Sequence, residues 1–251
     1  MTPTIFDSDE FNQRLFFPRP DVTQPPAGAT DLRVAVPGAT LHARLHAAAA
    51  ARCTLLLFHG NGEVVADYDD SAARFALAGA RLVVADYRGY GDSAGTPTLR
   101  ALITDAPVVA AAVAQACPGP LVIMGRSLGG AAAHALYRDP PAGTVGFVLE
   151  SALFDVAALV RRRGIARAVG PAERAVLDPA AWLAAGRAPL LVLHGELDQI
   201  IAPSEARAAL AAAGAAADAK TLVPIAGRGH NDVSLAPSYW AALAAFISRV
   251  A

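Results

Sequence analysis

Apolar residues in this chain fall into short continuous runs, and longer Ala-rich stretches separate them. CTLLLFH (53–59) has no polar alternation from Leu55 to Phe58, the pattern of a strand covered on both faces. RLVVADY (81–87), LVIMG (121–125), VGFVLE (145–150), LLVLHG (190–195) and KTLVPI (220–225) repeat that signature. Ahead of them, DLRVAV (31–36) and TLHARL (40–45) flank Pro37-Gly38, a turn signal that predicts an antiparallel hairpin. Helices are expected near 64–78, 99–116, 128–138, 204–213 and 238–249. Strand and helix in alternation imply an α/β fold, a mostly parallel eight-stranded sheet with helices on both faces. Two segments break the rhythm. Residues 1–30 are Pro-rich and aperiodic and predict an irregular arm, and 152–188, interrupted by Gly164, Gly170-Pro171 and Asp178-Pro179, predict a short helical lid over the sheet. In an open α/β sheet the ligand lies beyond the carboxyl ends of the strands, where such a lid would sit.

Composition sharpens this reading only in places. The 251 residues suit one compact domain spanning 1–251. Much of the 54% hydrophobic content is alanine, and no charge-free apolar stretch of membrane-spanning length is present. The start, MTPTIFDSDEF, carries acidic residues where a secretion signal needs a basic segment and an apolar run, so a cytoplasmic location without a membrane anchor is expected. A net charge of −1 argues against nucleic acid as a partner. The run Arg161-Arg162-Arg163 reads first as a solvated helix face and second as an anion or lipid-headgroup site. Cys53 and Cys117 match no metal or redox spacing and are expected to be reduced and partly buried.

Candidate chemistry centres on Gly125-Arg126-Ser127-Leu128-Gly129, which follows an apolar strand and precedes a helical segment. A serine on a sharp strand-to-helix turn projects its hydroxyl above the sheet, and the flanking glycines admit the crowded turn. Such a hydroxyl needs a base. Of the six histidines, His230 lies in the polar, Gly-rich loop AGRGHND after the last strand; His42, His46, His134 and His194 read as packing or surface residues, and His59 opens a separate loop. A carboxylate must orient the base. Asp198, in the loop after LLVLHG, is the candidate, and Glu150 at the end of VGFVLE is its rival. The chain order is then Ser127, Asp198, His230. The loop His59-Gly60-Asn61-Gly62-Glu63 follows the first buried strand, and the backbone N–H groups of Asn61 and Leu128 are the expected oxyanion donors. Gly60-Asn61-Gly62 also opens a dinucleotide fingerprint, but Val65 stands where its third glycine belongs. No P-loop and no metal-ligand spacing such as HExxH occurs, so no cofactor and no metal are expected.

HGNGE (59–63), DYRGYGDSAG (86–95), GRSLGG (125–130) and GRGHND (227–232) together resemble the α/β-hydrolase superfamily from about residue 31 to the last helix. They are most similar to its serine-aminopeptidase-like branch, which includes monoacylglycerol lipases and protein depalmitoylases. The resemblance implies an α/β-hydrolase fold and a serine hydrolase of the carboxylesterase or lipase type, with Ser127, Asp198 and His230 as triad. It also implies that Asp86 and Arg88 organise a loop at the site's edge and take no part in proton transfer. The expected partner is a small-molecule ester or thioester of small to medium acyl length. An amidase or peptidase using the same triad, or a ligand-binding protein that keeps the fold without turnover, are the alternatives.

Overall fold

A computed structural model describes residues 4–251. The strands are β1 (Ala29–Val36), β2 (Ala39–His46), β3 (Cys53–Phe58), β4 (Ala80–Ala85), β5 (Leu121–Arg126), β6 (Thr144–Glu150), β7 (Leu190–Gly195) and β8 (Lys220–Ile225). They form one sheet in the order β1-β2-β4-β3-β5-β6-β7-β8. The β1–β2 hairpin turns at Gly38, whose φ of +76° suits glycine, and β2 also runs antiparallel to β4. From β4 across to β8 all neighbours are parallel. This is the mostly parallel eight-stranded sheet that the apolar runs predict.

Helices α1 (Asp9–Leu15), α2 (Ala72–Leu77), α3 (Leu99–Ala116), α4 (Gly130–Arg138), α5 (Val156–Arg162), α6 (Pro171–Val176), α7 (Pro179–Ala185), α8 (Pro203–Ala212) and α9 (Pro237–Val250) complete the chain. Every residue of β3, β5 and β7 is buried. Alternation along β3 splits the core into two layers: Leu56 and Phe58 pack with α3, α4 and α8, whereas Leu55 and Leu57 pack with α2 and α9. By length and composition α3 could cross a membrane, but here it buries the stripe Leu102, Ala106, Val109, Ala110 and Val113 in the first of these layers.

Two expectations are corrected. The first 30 residues are not wholly irregular, because 9–15 form α1, capped by Ser8, and Ile5, Phe6, Phe11, Leu15 and Phe16 enter the core. Ile5–Asp7 forms a 3₁₀ turn ahead of α1, prolines at 18, 20, 25 and 26 keep 16–26 out of helix, and residues 1–3 of the expected arm lie outside the described residues. The helix expected over 64–78 is a 3₁₀ segment at Val65–Ser71 followed by the short α2. Asp67 accepts from the Val64 amide at 3.0 Å, the reach-back that marks the start of the 3₁₀ segment. The 152–188 segment forms the short helices α5, α6 and α7, and α7 packs against α4 and α8.

Candidate active site

Strand β5 ends at Arg126, and the backbone then reverses so sharply that Ser127 takes φ +51°, a left-handed conformation rare for a residue with a side chain. The neighbouring glycines make this turn possible. A Cβ on Gly129 would lie 2.0 Å from the Phe58 carbonyl oxygen, and one on Gly125 would lie 2.7 Å from the Gly129 oxygen and from the Ala133 Cβ. The turn is therefore pressed against the end of β3, which places Leu128 beside the loop that β3 feeds.

The loops after β7 and β8 bring the other two residues to the same point. The Ser127 hydroxyl donates to His230 Nε2 at 2.9 Å, and His230 Nδ1–H donates to Asp198 Oδ2 at 2.8 Å. A carboxylate can only accept, so Nδ1 carries the proton and Nε2 is free to accept from serine. Asp198 Oδ1 takes the Ile200 and Ile201 amides at 2.9 and 2.8 Å, which fixes the carboxylate in its turn. Burial raises the Asp198 pKa, yet the bonds from His230 and these amides outweigh it and leave the carboxyl below its ordinary range. Ser127 and His230 each keep 8% of their surface exposed.

The loop after β3 is held from several sides. Tyr87 Oη donates to the His59 carbonyl at 2.5 Å, and the Gly60 amide donates to Glu63 at 2.7 Å. Asn61 Nδ2 donates to the Leu15 carbonyl at 2.5 Å, while Asn61 Oδ1 accepts from Tyr90 Oη at 2.6 Å and from the Phe17 amide at 3.0 Å. With its side chain committed to the amino-terminal arm, Asn61 is fixed beside the Ser127 turn. Asp86 and Arg88 organise the adjacent loop. The buried Asp86 accepts from the Val65 amide at 3.0 Å and lies 3.2 Å from His59 Nε2 and 3.3 Å from His42 Nδ1, and Arg88 grips Asp105 at 2.7 and 2.9 Å. A Cβ on Gly91 would fall 2.0 Å from Asp86 Oδ2, so the GYG turn needs its glycine to close over that carboxylate.

Residues 49–182 match the family model described as "Serine aminopeptidase, S33". The chain belongs to that family. This S33 family member is also 32% identical over 164 residues to two uncharacterized proteins of Mycobacterium tuberculosis, from strains CDC 1551 / Oshkosh and ATCC 25618 / H37Rv; the match covers 62% of the chain and 55% of each relative, so the chain spans about half the length of the curated relatives it matches. Its fold is similar to that of the Pyrococcus furiosus esterase Pf2001 (TM-score 0.74, 15% identity, 93% of this chain and 99% of that one). It is also similar to a Pseudomonas aeruginosa hydrolase (0.66, 22%, 88% and 98%) and to the ferulic-acid-bound Est1E of Butyrivibrio proteoclasticus (0.69, 16%, 87% and 98%). These likenesses establish the α/β-hydrolase fold.

The S33 family member carries one feature of the site that residue patterns did not reveal. Arg126, immediately before Ser127, is buried and lies 3.0 Å from Glu63 and 3.3 Å from Glu150, and it donates to Asn231 Oδ1 at 3.1 Å. Tyr68 and Tyr239 donate to the same two carboxylates, each at 2.6 Å. Burial raises the Glu150 pKa, and Arg126 and the Tyr239 hydroxyl pull it back only in part. Glu150, the rival for the third position, is thereby placed in this cluster, while Asp198 meets His230. The available signal was positional: a charge closing the apolar strand LVIMGR cannot reach water and must find carboxylates at neighbouring strand ends, and Arg126 pairs in register with Glu150.

Proposed function

We propose that this S33 family member is a serine hydrolase that transfers the acyl group of a small ester or thioester to water. The observation that carries the reading is the hydrogen-bonded line Ser127–His230–Asp198, drawn from three loops at one edge of the sheet. In this reading His230 Nε2 removes the serine proton as Oγ attacks the carbonyl carbon, and Asp198 stabilises the imidazolium that forms. The oxyanion is held by the amides of Leu128 and Asn61, a role supported by the contact of the Ser127 turn with the end of β3 and by the clamped Asn61 side chain. His230 then protonates the leaving alcohol or thiol, and water, activated by the same imidazole, splits the acyl-enzyme and regenerates the hydroxyl.

The confined position of Ser127 and His230 supports small rather than bulky acyl groups. A cavity of about 370 Å³ under the lid, lined by Phe154, Val156, Val169 and Glu205 among others, is not lined by the triad. Ser127→Ala is expected to lower turnover of p-nitrophenyl acetate by a factor on the order of 10⁵–10⁶ while the thermal midpoint stays close to that of the parent protein. Retained turnover in a folded Ser127→Ala protein would refute the assignment. A matched series of esters, thioesters and amides distinguishes the bonds cleaved, and an amide preference would replace the ester reading.

A further inference from the structure

Helix α5 ends at Arg161-Arg162 and Arg163 caps it, and these three arginines meet three different environments. Arg161 is exposed, and Arg162 bonds Glu205 at 2.9 Å. Arg163 is half-buried, and its guanidinium carbon lies 5.3 Å from the centre of the ring of Phe17, which is itself 54% exposed. Its Nε is buried without a hydrogen-bond partner, and among the described residues it makes no ion pair. A buried, unmatched guanidinium nitrogen is costly, since desolvation is compensated by neither an acceptor nor an opposite charge. Burial, followed by the neighbouring Arg162, depresses the Arg163 pKa, while Tyr90 opposes them.

Arg163 is built into its position. Arg14 of α1 donates to the Arg163 and Gly164 carbonyls at 3.3 and 3.2 Å. The aromatic ring beneath it belongs to Phe17, whose amide donates to Asn61 Oδ1 and to Tyr90 Oη at 3.0 and 2.9 Å. A single residue of the arm therefore connects the unpaired cation to the loop whose Asn61 amide is assigned to the oxyanion. An arginine without an ion pair among the described residues, one aromatic residue away from the loop that carries Asn61, is arranged to receive an anion. Its planar fork matches a carboxylate, whose single charge one guanidinium can neutralise.

We infer that Arg163 forms an anion subsite, so that the substrate is a short ester or thioester carrying a free carboxylate. This rests on the hydrolase reading, and the test separates the two. Mono-p-nitrophenyl esters of succinic, glutaric and adipic acid are compared with their methyl-capped, neutral counterparts. For the spacer that fits, kcat/KM of the charged ester should exceed that of the neutral one by about tenfold or more, the effect of one charge-assisted hydrogen bond. Arg163→Met should bring that ratio to about one, chiefly through KM; Arg163→Lys should keep part of it, and Arg161→Met all of it. Binding is measured independently of turnover by calorimetric titration of the Ser127→Ala protein with monomethyl glutarate, with and without Arg163→Met. Arg163-dependent binding without turnover by the parent protein keeps the subsite and removes the hydrolase reading. Turnover at equal rates for charged and neutral esters, or inhibition by inorganic phosphate stronger than by glutarate, overturns the subsite. Neither binding nor turnover overturns both.

Discussion

At the scale of single residues, the geometry makes different demands on the serine, the histidine and the aspartate. Asp198 accepts three hydrogen bonds, two from its own loop and one from His230. The first two hold it in place and the third selects the imidazole tautomer. Asp198→Asn should keep the fold and the position, but an amide can turn its NH₂ toward Nδ1 and stabilise the wrong tautomer. We expect kcat to fall by about 10⁴ with little change in thermal midpoint, as a tautomer effect requires. A fall of less than tenfold would show that Asp198 does not set the proton's position. These three residues were legible in the sequence because each stands in a short polar loop directly after an apolar strand. Arg126 and Arg163 were not, because their significance depends on residues far away in the chain: Glu63 and Glu150 for the first, Phe17 for the second. The run 161–163 reads as one solvated face; the structure splits it, since Arg161 is exposed, Arg162 pairs with Glu205 and the Nε of Arg163 is buried.

Among elements, the turn between β5 and α4 is the most tightly specified. Its glycines differ in kind from the hairpin glycine at 38. Gly38 has positive φ and open space around its Cβ position, so Gly38→Ala costs only backbone strain, about 1–2 kcal/mol, and should leave turnover intact. Gly129→Ala has ordinary φ but places a methyl inside the Phe58 carbonyl, and something in the backbone must move. The expected cost is about 2–4 kcal/mol, with a still larger proportional loss of activity because the displaced backbone is the one that carries Ser127 and Leu128. Measuring both variants by denaturant melting and ester turnover checks this; equal activity in the two would mean the turn relaxes freely. The strand core was readable for the same reason that the turn is rigid. Strands buried on both faces leave an unbroken apolar signature, as in β3, β5 and β7. The arm and the 65–77 segment were harder, since α1 spans only 9–15 and is stabilised by distant contacts, such as Asn12 with the Leu99 amide, rather than by its own periodicity.

For the molecule as a whole, buried ionisable groups tie stability to pH, and the direction differs by group. His134 on α4 is fully buried, neither ring nitrogen has a partner among the described residues, and burial lowers its pKa to about 3. Between the unfolded value near 6.5 and that figure, the unfolded chain binds a proton that the folded one refuses, so stability falls as pH drops. His46, also lowered by burial, acts in the same sense. His42 acts oppositely: although burial lowers its pKa, Asp86 and Asp31 raise it above its ordinary value, so its contribution is present below pH 6.5 and lost as pH rises through its folded value. Asp31, Asp86 and Asp198 are all lowered, so what they contribute is lost only as pH falls below about 3.8, through their folded values. Within the window from pH 6.5 down to 4, His134 alone should therefore impose a slope of up to about 1.4 kcal/mol per pH unit. His134→Leu, which is close in volume and leaves no polar atom to desolvate, should flatten the curve by that amount, measured as unfolding free energy in urea at several pH values. Because Asp198 and His230 are not altered, ester turnover near neutral pH should follow the parent protein, and the acid limb of thermal inactivation should shift downward with the stability. An unchanged slope in His134→Leu would mean that water or a rearranged side chain reaches the imidazole, and that the layer between α4 and the sheet opens well before the protein unfolds.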